Sequence, residues 1–244
     1  ALIYFVPFSV IHYLPLHVLT FNGEPLIKRH PVCYAPSASL LKFCQNKGSH
    51  SLKSCASFGA AFEEEAKDVA GLFGSKAYSG PSVSKDTVFK NCTDKDVIHF
   101  SCHGYFNGAD PLSSGIVLDE RIFKAREILP DQVLTAREIF NMRLNTELVT
   151  LSACQTGLNE RSPGDELIGL TRAFLYAGAP SVLVSLWSVD ARSTHELMLE
   201  FYRELKKGAD KATALQEAQI EIMEKKEYRH PYYWAPFVLI GDWR

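Results

Sequence analysis

In the stretch Glu147–Cys154, "ELVTLSAC", a run of strand-forming residues ends on a cysteine and is then broken by "QTG" at 155–157. Short apolar runs of this kind are typical of strands buried on both faces of a parallel sheet. A second run, "DVIHFSC" at 96–102, is followed at once by His103 and Gly104. Each predicted strand therefore leads to a chemically reactive side chain.

Strand-like and helix-like segments alternate along the rest of the chain. Further strands are expected at 2–7, 115–120, 180–187 and 234–243. Helices are expected at 37–47, 62–73, 135–144 and 164–179, and in two amphipathic segments around 197–205 and 215–223. The acids Glu63, Glu64 and Glu65 lie in the first turn of the second of these helices, where the helix dipole favours them. The loop 104–114 is expected to be irregular. This order predicts one α/β domain, residues 1–244, with a central, mostly parallel sheet flanked by helices.

The opening "ALIYFVPFSVIHYLPLHVL" (1–19) is apolar enough to raise the question of a membrane span or signal sequence. Pro7, His12, Pro15 and His17 interrupt it, no basic region precedes it and no small-residue cleavage site follows it. Two short buried strands around a turn are the better prediction. A chain that starts on a strand is also expected to be a domain excised from a longer protein.

Composition limits the classes of partner. The 244 residues carry a net charge of −2, with no dense basic block, so neither nucleic acid nor an anionic membrane is expected as a partner. The six cysteines are widely spread, which favours reduced thiols in a cytoplasmic protein. Cys92, His99, Cys102 and His103 do not predict a zinc site, because adjacent residues of a strand point to opposite faces.

His103 and Cys154 would meet if their two strands were neighbours, because ligands bind at the carboxyl ends of parallel strands. Imidazole beside a thiol generates a thiolate nucleophile and later protonates the leaving group. The N–H groups of Gly104 and Cys154 are the expected oxyanion donors. Singly, His103 could be a core histidine and Cys154 a packing thiol. Their matched placement favours a catalytic dyad, for which no metal or cofactor is expected.

Longer blocks of the sequence resemble a known family. These blocks are "FVPFSVIHYLPLHVL", "YAPSASLL", "IHFSCHG", "PLSSGIVL", "LVTLSACQTGL", "GDELIGLTRAFLYAGAPSVLVSLWSVD", "FYRELKKG", "ALQEAQ" and "YYWAPFVLIGD". Together they resemble the CHAT domain, a bacterial relative of caspases and separases, along nearly the whole chain. The resemblance implies a caspase-like peptidase fold with His103 as general base and Cys154 as nucleophile.

The resemblance also implies a substrate site. A peptide would lie as an added β-strand beside "VSLWSVD", pairing with the main chain of Ser185–Ser188. Trp187 would either wall a side-chain pocket or pack into the core. Ser152, two residues before the nucleophile on the same strand face, would line the pocket for the residue before the scissile bond. Asp190 lies where relatives with basic specificity often place an acid.

The sequence departs from the family pattern beside that acid. Many relatives read Val-Asp-Asp, whereas this chain has Ala191 in the last position, so basic specificity fails if the second acid is the one that reaches the pocket. Asp165 and Glu166 are alternative acids, although a helix N-terminus also favours carboxylates. The loop 157–166 resembles loops that related proteases order or cut on activation, which makes Arg161 a candidate self-cleavage point.

These features predict a cysteine endopeptidase that cuts a protein substrate after a basic residue. A sensor or helical-repeat module, on the same or a separate chain, is the expected regulator, and the resemblance implies roles in bacterial defence, including CRISPR-linked signalling and gasdermin activation. One alternative is a catalytically quiet caspase-like interaction module. Another is a thiol hydrolase or acyltransferase for a small molecule, which predicts a closed apolar pocket rather than an open groove along 185–190.

Overall fold

The computed structural model describes residues 1–47, 52–121, 130–152 and 165–244, without the side chains of residues 130 and 165–168. The predicted nucleophile Cys154 and the candidate cleavage point Arg161 lie outside the described residues. In chain order, the described strands are β1 (Ile3–Phe5), β2 (Thr20–Phe21), β3 (Glu24–Pro25), β4 (Val32–Tyr34), β5 (Cys55–Gly59), β6 (Tyr78–Ser79), β7 (Val97–Phe100), β8 (His103–Tyr105), β9 (Gly115–Val117), β10 (Val133–Thr135), β11 (Leu148–Leu151), β12 (Ser181–Ser185) and β13 (Phe237–Gly241).

Six of the eight described helices lie at predicted positions, whereas those at Lys85–Asn91 and Pro231–Trp234 were not predicted. The described helices are α1 (Ala38–Gln45), α2 (Glu63–Leu72), α3 (Lys85–Asn91), α4 (Ala136–Phe140), α5 (Asp165–Ala177), α6 (Ala191–Lys207), α7 (Lys211–Glu224) and α8 (Pro231–Trp234). Short polar side chains begin most of them: Ser37 caps α1, and Thr135 forms a capping box with Glu138 at α4. Gly178, at φ +127°, ends α5, as predicted.

Eight strands form the central sheet, in the order β1-β4-β13-β12-β11-β7-β5-β6. Every neighbouring pair is parallel except β12 and β13, so a block of three parallel strands meets a block of five along one antiparallel seam. Strands β7, β11 and β12 are buried at every residue, which explains their uninterrupted apolar runs. The predicted α/β architecture is confirmed.

Strands β7 and β11 are direct neighbours, which is the condition that the dyad requires. They pair in parallel from Val97 opposite Leu148 to Phe100 opposite Leu151. The ladder continues one step further, where the N–H of Ser152 donates to the carbonyl of Phe100 at 2.9 Å. Both chains therefore leave the sheet side by side at the same edge.

The segment after His103 is more regular than predicted at its start, because Gly104 and Tyr105 of the expected loop 104–114 belong to β8. β8 pairs antiparallel with β9, and β9 with β10, to form a separate three-stranded sheet. Gly115 allows this close pairing, because a Cβ there would lie 2.2 Å from the carbonyl oxygen of Leu134. Pro111–Ser113 forms a 3-10 turn. The strand predicted at 115–120 is present as β9, but β8 and β10 have three residues each and show no readable periodicity, so the sequence did not reveal its partners.

The opening segment also differs from the prediction. β1 forms beside β4, but the second expected strand is wrong: Ser9–Tyr13 and Leu16–Val18 are 3-10 turns. Pro7 and Pro15 supply no N–H to a ladder, and Ser9 adopts φ +54°. Large apolar side chains here, such as Phe8, are exposed rather than buried. Among the described residues, no helix combines the length and apolar character needed to cross a bilayer.

Candidate active site

His103 begins β8, three residues after the last residue of β7. Its side chain is partly exposed, and its ring meets the ring of Phe62 edge-on, with centroids 5.5 Å apart and an interplanar angle of 69°. The connection between β5 and α2 is held here because the N–H groups of Ala61 and Phe62 both donate to the carbonyl of Ser101, at 3.3 and 3.2 Å. The predicted base thus lies at the carboxyl edge of the sheet beside an aromatic side chain.

The residues on either side of His103 have different environments. Gly104, the predicted oxyanion donor, lies in β8 opposite Ile116. Cys102 is fully buried, with its Sγ 3.6 Å from the carbonyl oxygen of Phe58. Burial raises the pKa of the Cys102 thiol to about 12, so this thiol stays protonated at neutral pH. Cys102 is therefore buried and unreactive, whereas His103, the next residue, is partly exposed.

On the neighbouring strand, Ser152 follows β11 directly. It is 1% exposed, and its Oγ has no hydrogen-bond partner in the part of the chain that the structure describes. Cys154 lies two residues further, beyond the described part. The relation of His103 to Cys154 therefore rests on the register of β7 and β11, and the roles assigned to His103, Gly104, Ser152 and Cys154 stay predictions.

The predicted substrate segment begins inside the sheet. Ser185 is buried and pairs with Phe237 of β13, and the N–H of Leu186 donates to the carbonyl of Pro236 at 2.8 Å. The β13 side of this segment is therefore occupied. On its other side β12 pairs with β11 only as far as Val184 opposite Leu151.

Trp187 and Asp190 both make structural contacts. Trp187 is partly buried against the core, and its Nε1–H donates to the carbonyl of Tyr232 at 3.2 Å. Asp190 is the N-cap of α6, where its carboxylate accepts from the N–H of Ser193 at 2.9 Å. These contacts account for both residue types without a substrate, so their roles in a specificity pocket also stay predictions. Asp165 starts α5, which places it and Glu166 in the first turn, where the helix dipole favours acids.

A buried polar cluster beneath this edge was missed by sequence reasoning. His99 contacts Tyr202 Oη through Nδ1 at 3.1 Å, and Glu65 Oε1 and Ser101 Oγ through Nε2 at 3.0 and 2.8 Å. Tyr202 Oη donates to Thr150 Oγ1 at 2.7 Å. All five residues are at most 3% exposed. The only signal was polar His99 and Ser101 alternating within an apolar run, whereas Glu65 resembled a helix-terminal acid.

The remaining cysteines are buried and free. Cys33, Cys44, Cys55, Cys92 and Cys102 form no disulfide, and their reduced state stays a prediction. Burial raises the pKa of each, to about 12 for Cys33 and Cys55. The described residues hold no cluster of three or more His, Cys, Asp or Glu side chains placed to bind a metal.

Comparison with solved structures defines the class of fold. The separase–securin complex of Saccharomyces cerevisiae matches with a TM-score of 0.61 at 13% identity, over 94% of this chain and 14% of that one. The Arg-specific cysteine proteinase gingipain R matches with a TM-score of 0.56 at 10% identity, over 88% of this chain and 54% of that one. This is a caspase-like fold, as predicted. The chain belongs to the CHAT domain family, whose family model matches residues 2–242.

Two curated mammalian proteins are also similar. Tetratricopeptide repeat protein 28 of Mus musculus is 30% identical over 74% of this chain, and the human protein of the same name is 27% identical over 96%. The chain spans 8% and 11% of the lengths of these relatives. Most of each relative therefore lies outside the matched region.

Proposed function

We propose that this CHAT domain is a cysteine endopeptidase in which His103 is the general base and Cys154 the nucleophile. One observation carries the proposal: Phe100 and Leu151 are register partners on adjacent parallel strands, and each is followed three residues later by one member of the pair. The caspase-like fold supports it, because a cysteine proteinase of known structure shares that fold.

The chemistry follows from the two side chains. Imidazole of His103 takes the thiol proton, and the Cys154 thiolate attacks the peptide carbonyl carbon to form a tetrahedral oxyanion. The N–H groups of Gly104 and Cys154 stabilise that oxyanion. The imidazolium then protonates the leaving amine as the C–N bond breaks, which leaves an acyl-enzyme. Water, deprotonated by His103, hydrolyses the thioester and restores the thiol.

The peptide would bind as an extended strand along Ser185–Ser188, on the side away from β13. The pairing of Ser185 with Phe237 and the bond from the N–H of Leu186 to the carbonyl of Pro236 occupy the β13 side, so an added strand would pair along the opposite side. Ser152, with a buried hydroxyl that meets no acceptor among the described residues, supports a polar lining for the pocket beside the nucleophile.

We propose cleavage after a basic residue, with Asp190 as the acid that pairs with it. The gingipain neighbour is named as Arg-specific, which supports basic specificity in this fold. Asp190 Oδ1 serves Ser193 as a helix cap, and a carboxylate has capacity for further hydrogen bonds. Because Ala191 replaces the second acid of the family pattern, the proposal requires that Asp190 itself reaches the pocket.

The proposed peptidase acts on a protein substrate under the control of a second module. The relatives are named for tetratricopeptide repeats and are about ten times longer than this chain, and the separase neighbour was solved with securin. These names support a helical-repeat or protein regulator. The proposed role in bacterial defence rests on the family resemblance, since both curated relatives are mammalian. The proposed cytoplasmic location rests on the wide spread of the six cysteines.

A mixed-sequence peptide library, incubated with the wild-type chain and with Cys154→Ala and read by mass spectrometry, tests this function. The proposal expects cuts after Arg or Lys that disappear in the variant. Cuts that persist in the variant contradict it. If neither form cuts, labelling of Cys154 by a peptide ketone supports a peptidase that needs an activator, whereas an unlabelled Cys154 supports a quiet interaction module. Labelling by a small ester instead would favour a small-molecule hydrolase.

A further inference from the structure

The buried cluster around His99 lies directly below the proposed active site. His99 and Thr150 are register partners on β7 and β11, so their side chains share one face of the sheet. Tyr202 of α6 reaches both of them, and Glu65 of α2 reaches His99. The cluster therefore joins the two strands that lead to His103 and Cys154 with the two helices packed on them.

Both ring nitrogens of His99 have hydrogen-bond partners within the cluster. Because the Tyr202 hydroxyl donates to Thr150, its oxygen accepts from Nδ1–H of His99. Nε2 lies 3.0 Å from Oε1 of Glu65. His99 is thus hydrogen-bonded inside the core through both ring nitrogens, to Tyr202 on one side and to Glu65 on the other. Oε1 of the Glu65 carboxylate is therefore hydrogen-bonded to the His99 ring.

Ser101 connects the cluster to His103. Its hydroxyl donates to Glu65 Oε1 at 2.7 Å, and its carbonyl accepts from the N–H groups of Ala61 and Phe62. Phe62 in turn places its ring edge-on against the imidazole of His103. An unbroken set of contacts therefore runs from the Glu65 carboxylate through Ser101 and Phe62 to His103.

We propose that Glu65 and Ser101 are positioning residues that fix the orientation of the His103 imidazole through Phe62. Neither residue touches a substrate; both are fully enclosed and act on the residue that does. The benefit of a fixed His103 orientation for catalysis rests on the proposed function of His103. The orientation itself does not depend on that function, because it can be measured on the folded chain without any substrate.

The test compares two chemically identical substitutions. Ser101→Ala removes the hydroxyl that binds Glu65. Ser57→Ala is the matched control, since Ser57 is equally buried, lies on the neighbouring strand β5 and donates to the carbonyl of Ala66 in the same helix at 2.8 Å. Glu65→Gln and its exposed neighbour Glu64→Gln form a second pair, and Phe62→Leu removes the aromatic ring itself.

Two readouts are taken on each variant. The first is the NMR position of the His103 ring protons, assigned by their loss in His103→Gln and shifted by the ring current of Phe62. The second is the rate at which iodoacetamide alkylates Cys154. Ser101→Ala and Glu65→Gln should move the His103 resonances towards those of Phe62→Leu and slow alkylation about 10 to 100-fold. Ser57→Ala and Glu64→Gln should leave both readouts at wild-type values.

The inference is overturned if Ser101→Ala and Glu65→Gln leave the His103 resonances unchanged, or if Ser57→Ala moves them as far as Ser101→Ala does. If Glu65→Gln fails to fold, Ser101→Ala and Phe62→Leu decide the question. Resonances that move while the wild-type chain neither cuts peptides nor reacts at Cys154 support the positioning contact and contradict the proposed peptidase function. The two claims can therefore fail separately.

Discussion

Phe100 and Leu151 lie opposite each other in a parallel ladder, and the N–H of Ser152 bonds to the carbonyl of Phe100 just beyond them. A slip of either strand by one residue would turn its polar side chain, His99 on β7 or Thr150 on β11, towards the opposite face and away from Tyr202. The buried hydrogen bonds of that face therefore specify the register, and the register sets where His103 and Cys154 leave the sheet.

Thiol reactivity should be confined to one cysteine. The five described cysteines are buried, and the raised pKa of each keeps it protonated at neutral pH, so native protein at pH 7 should take up one equivalent of iodoacetamide and denatured protein six. Mass spectrometry should locate the native label at Cys154.

Cys102→Ala should leave peptide turnover nearly intact, and a loss of turnover comparable to that of Cys154→Ala would show that Cys102 takes part.

The small sheet that carries His103 should tolerate no side chain at Gly115. An added Cβ would meet the backbone of Leu134 at 2.2 Å, so Gly115→Ala should lower the free energy of unfolding by about 1 to 3 kcal/mol and disturb His103. Gly71 is exposed in the last turn of α2, and a methyl group added there would have no heavy atom within 4 Å, so Gly71→Ala should stabilise by about 0.5 to 1 kcal/mol. Urea unfolding measures the free energy of unfolding of both variants. Equal changes in Gly115→Ala and Gly71→Ala would contradict the steric explanation given for Gly115.

Asp190→Asn separates capping from specificity. Asn caps helices as well as Asp, so the unfolding midpoint should change little, whereas cleavage after Arg should fall about 10 to 100-fold if the carboxylate binds the substrate. Asp210→Asn is the matched control, because Asp210 caps α7 in the same way through Thr213. Unchanged kcat/KM in Asp190→Asn would assign this acid to the helix alone.

Acid should weaken the fold through His17. Burial lowers the pKa of His17 from 6.5 to about 4, and its ring bonds to Tyr34 Oη at 3.1 Å. Between these pH values His17 is protonated in the unfolded chain but still neutral in the folded protein. The contribution of neutral, buried His17 to the free energy of unfolding is therefore complete above pH 6.5 and declines as the pH falls. At pH 4.5 the loss should reach about 2 to 3 kcal/mol. Urea unfolding at pH 7 and 4.5 should show a smaller loss in His17→Gln, and an equal loss in both would reject this assignment.

The sequence predicted the parts of the molecule that have long, regular patterns. The apolar runs of β7, β11 and β12 and the helical spacing of α2 and α6 are readable because burial on a sheet or against a helix repeats along the chain. The pairing of residues that are distant in sequence leaves no such pattern. Nothing near Glu65 indicates that its carboxylate meets His99 and Ser101, 34 and 36 residues away.

The alkylation rate of Cys154 between pH 5 and 8, in wild-type protein and in His103→Gln, tests the central claim most directly, because it needs neither substrate nor activator. If His103 and Cys154 form a dyad, the wild-type thiol reacts at pH 6 as a thiolate paired with imidazolium, and His103→Gln reacts about 100-fold more slowly until the pH nears the ordinary thiol pKa of about 8.5. Coincident pH profiles for the two proteins would contradict the dyad.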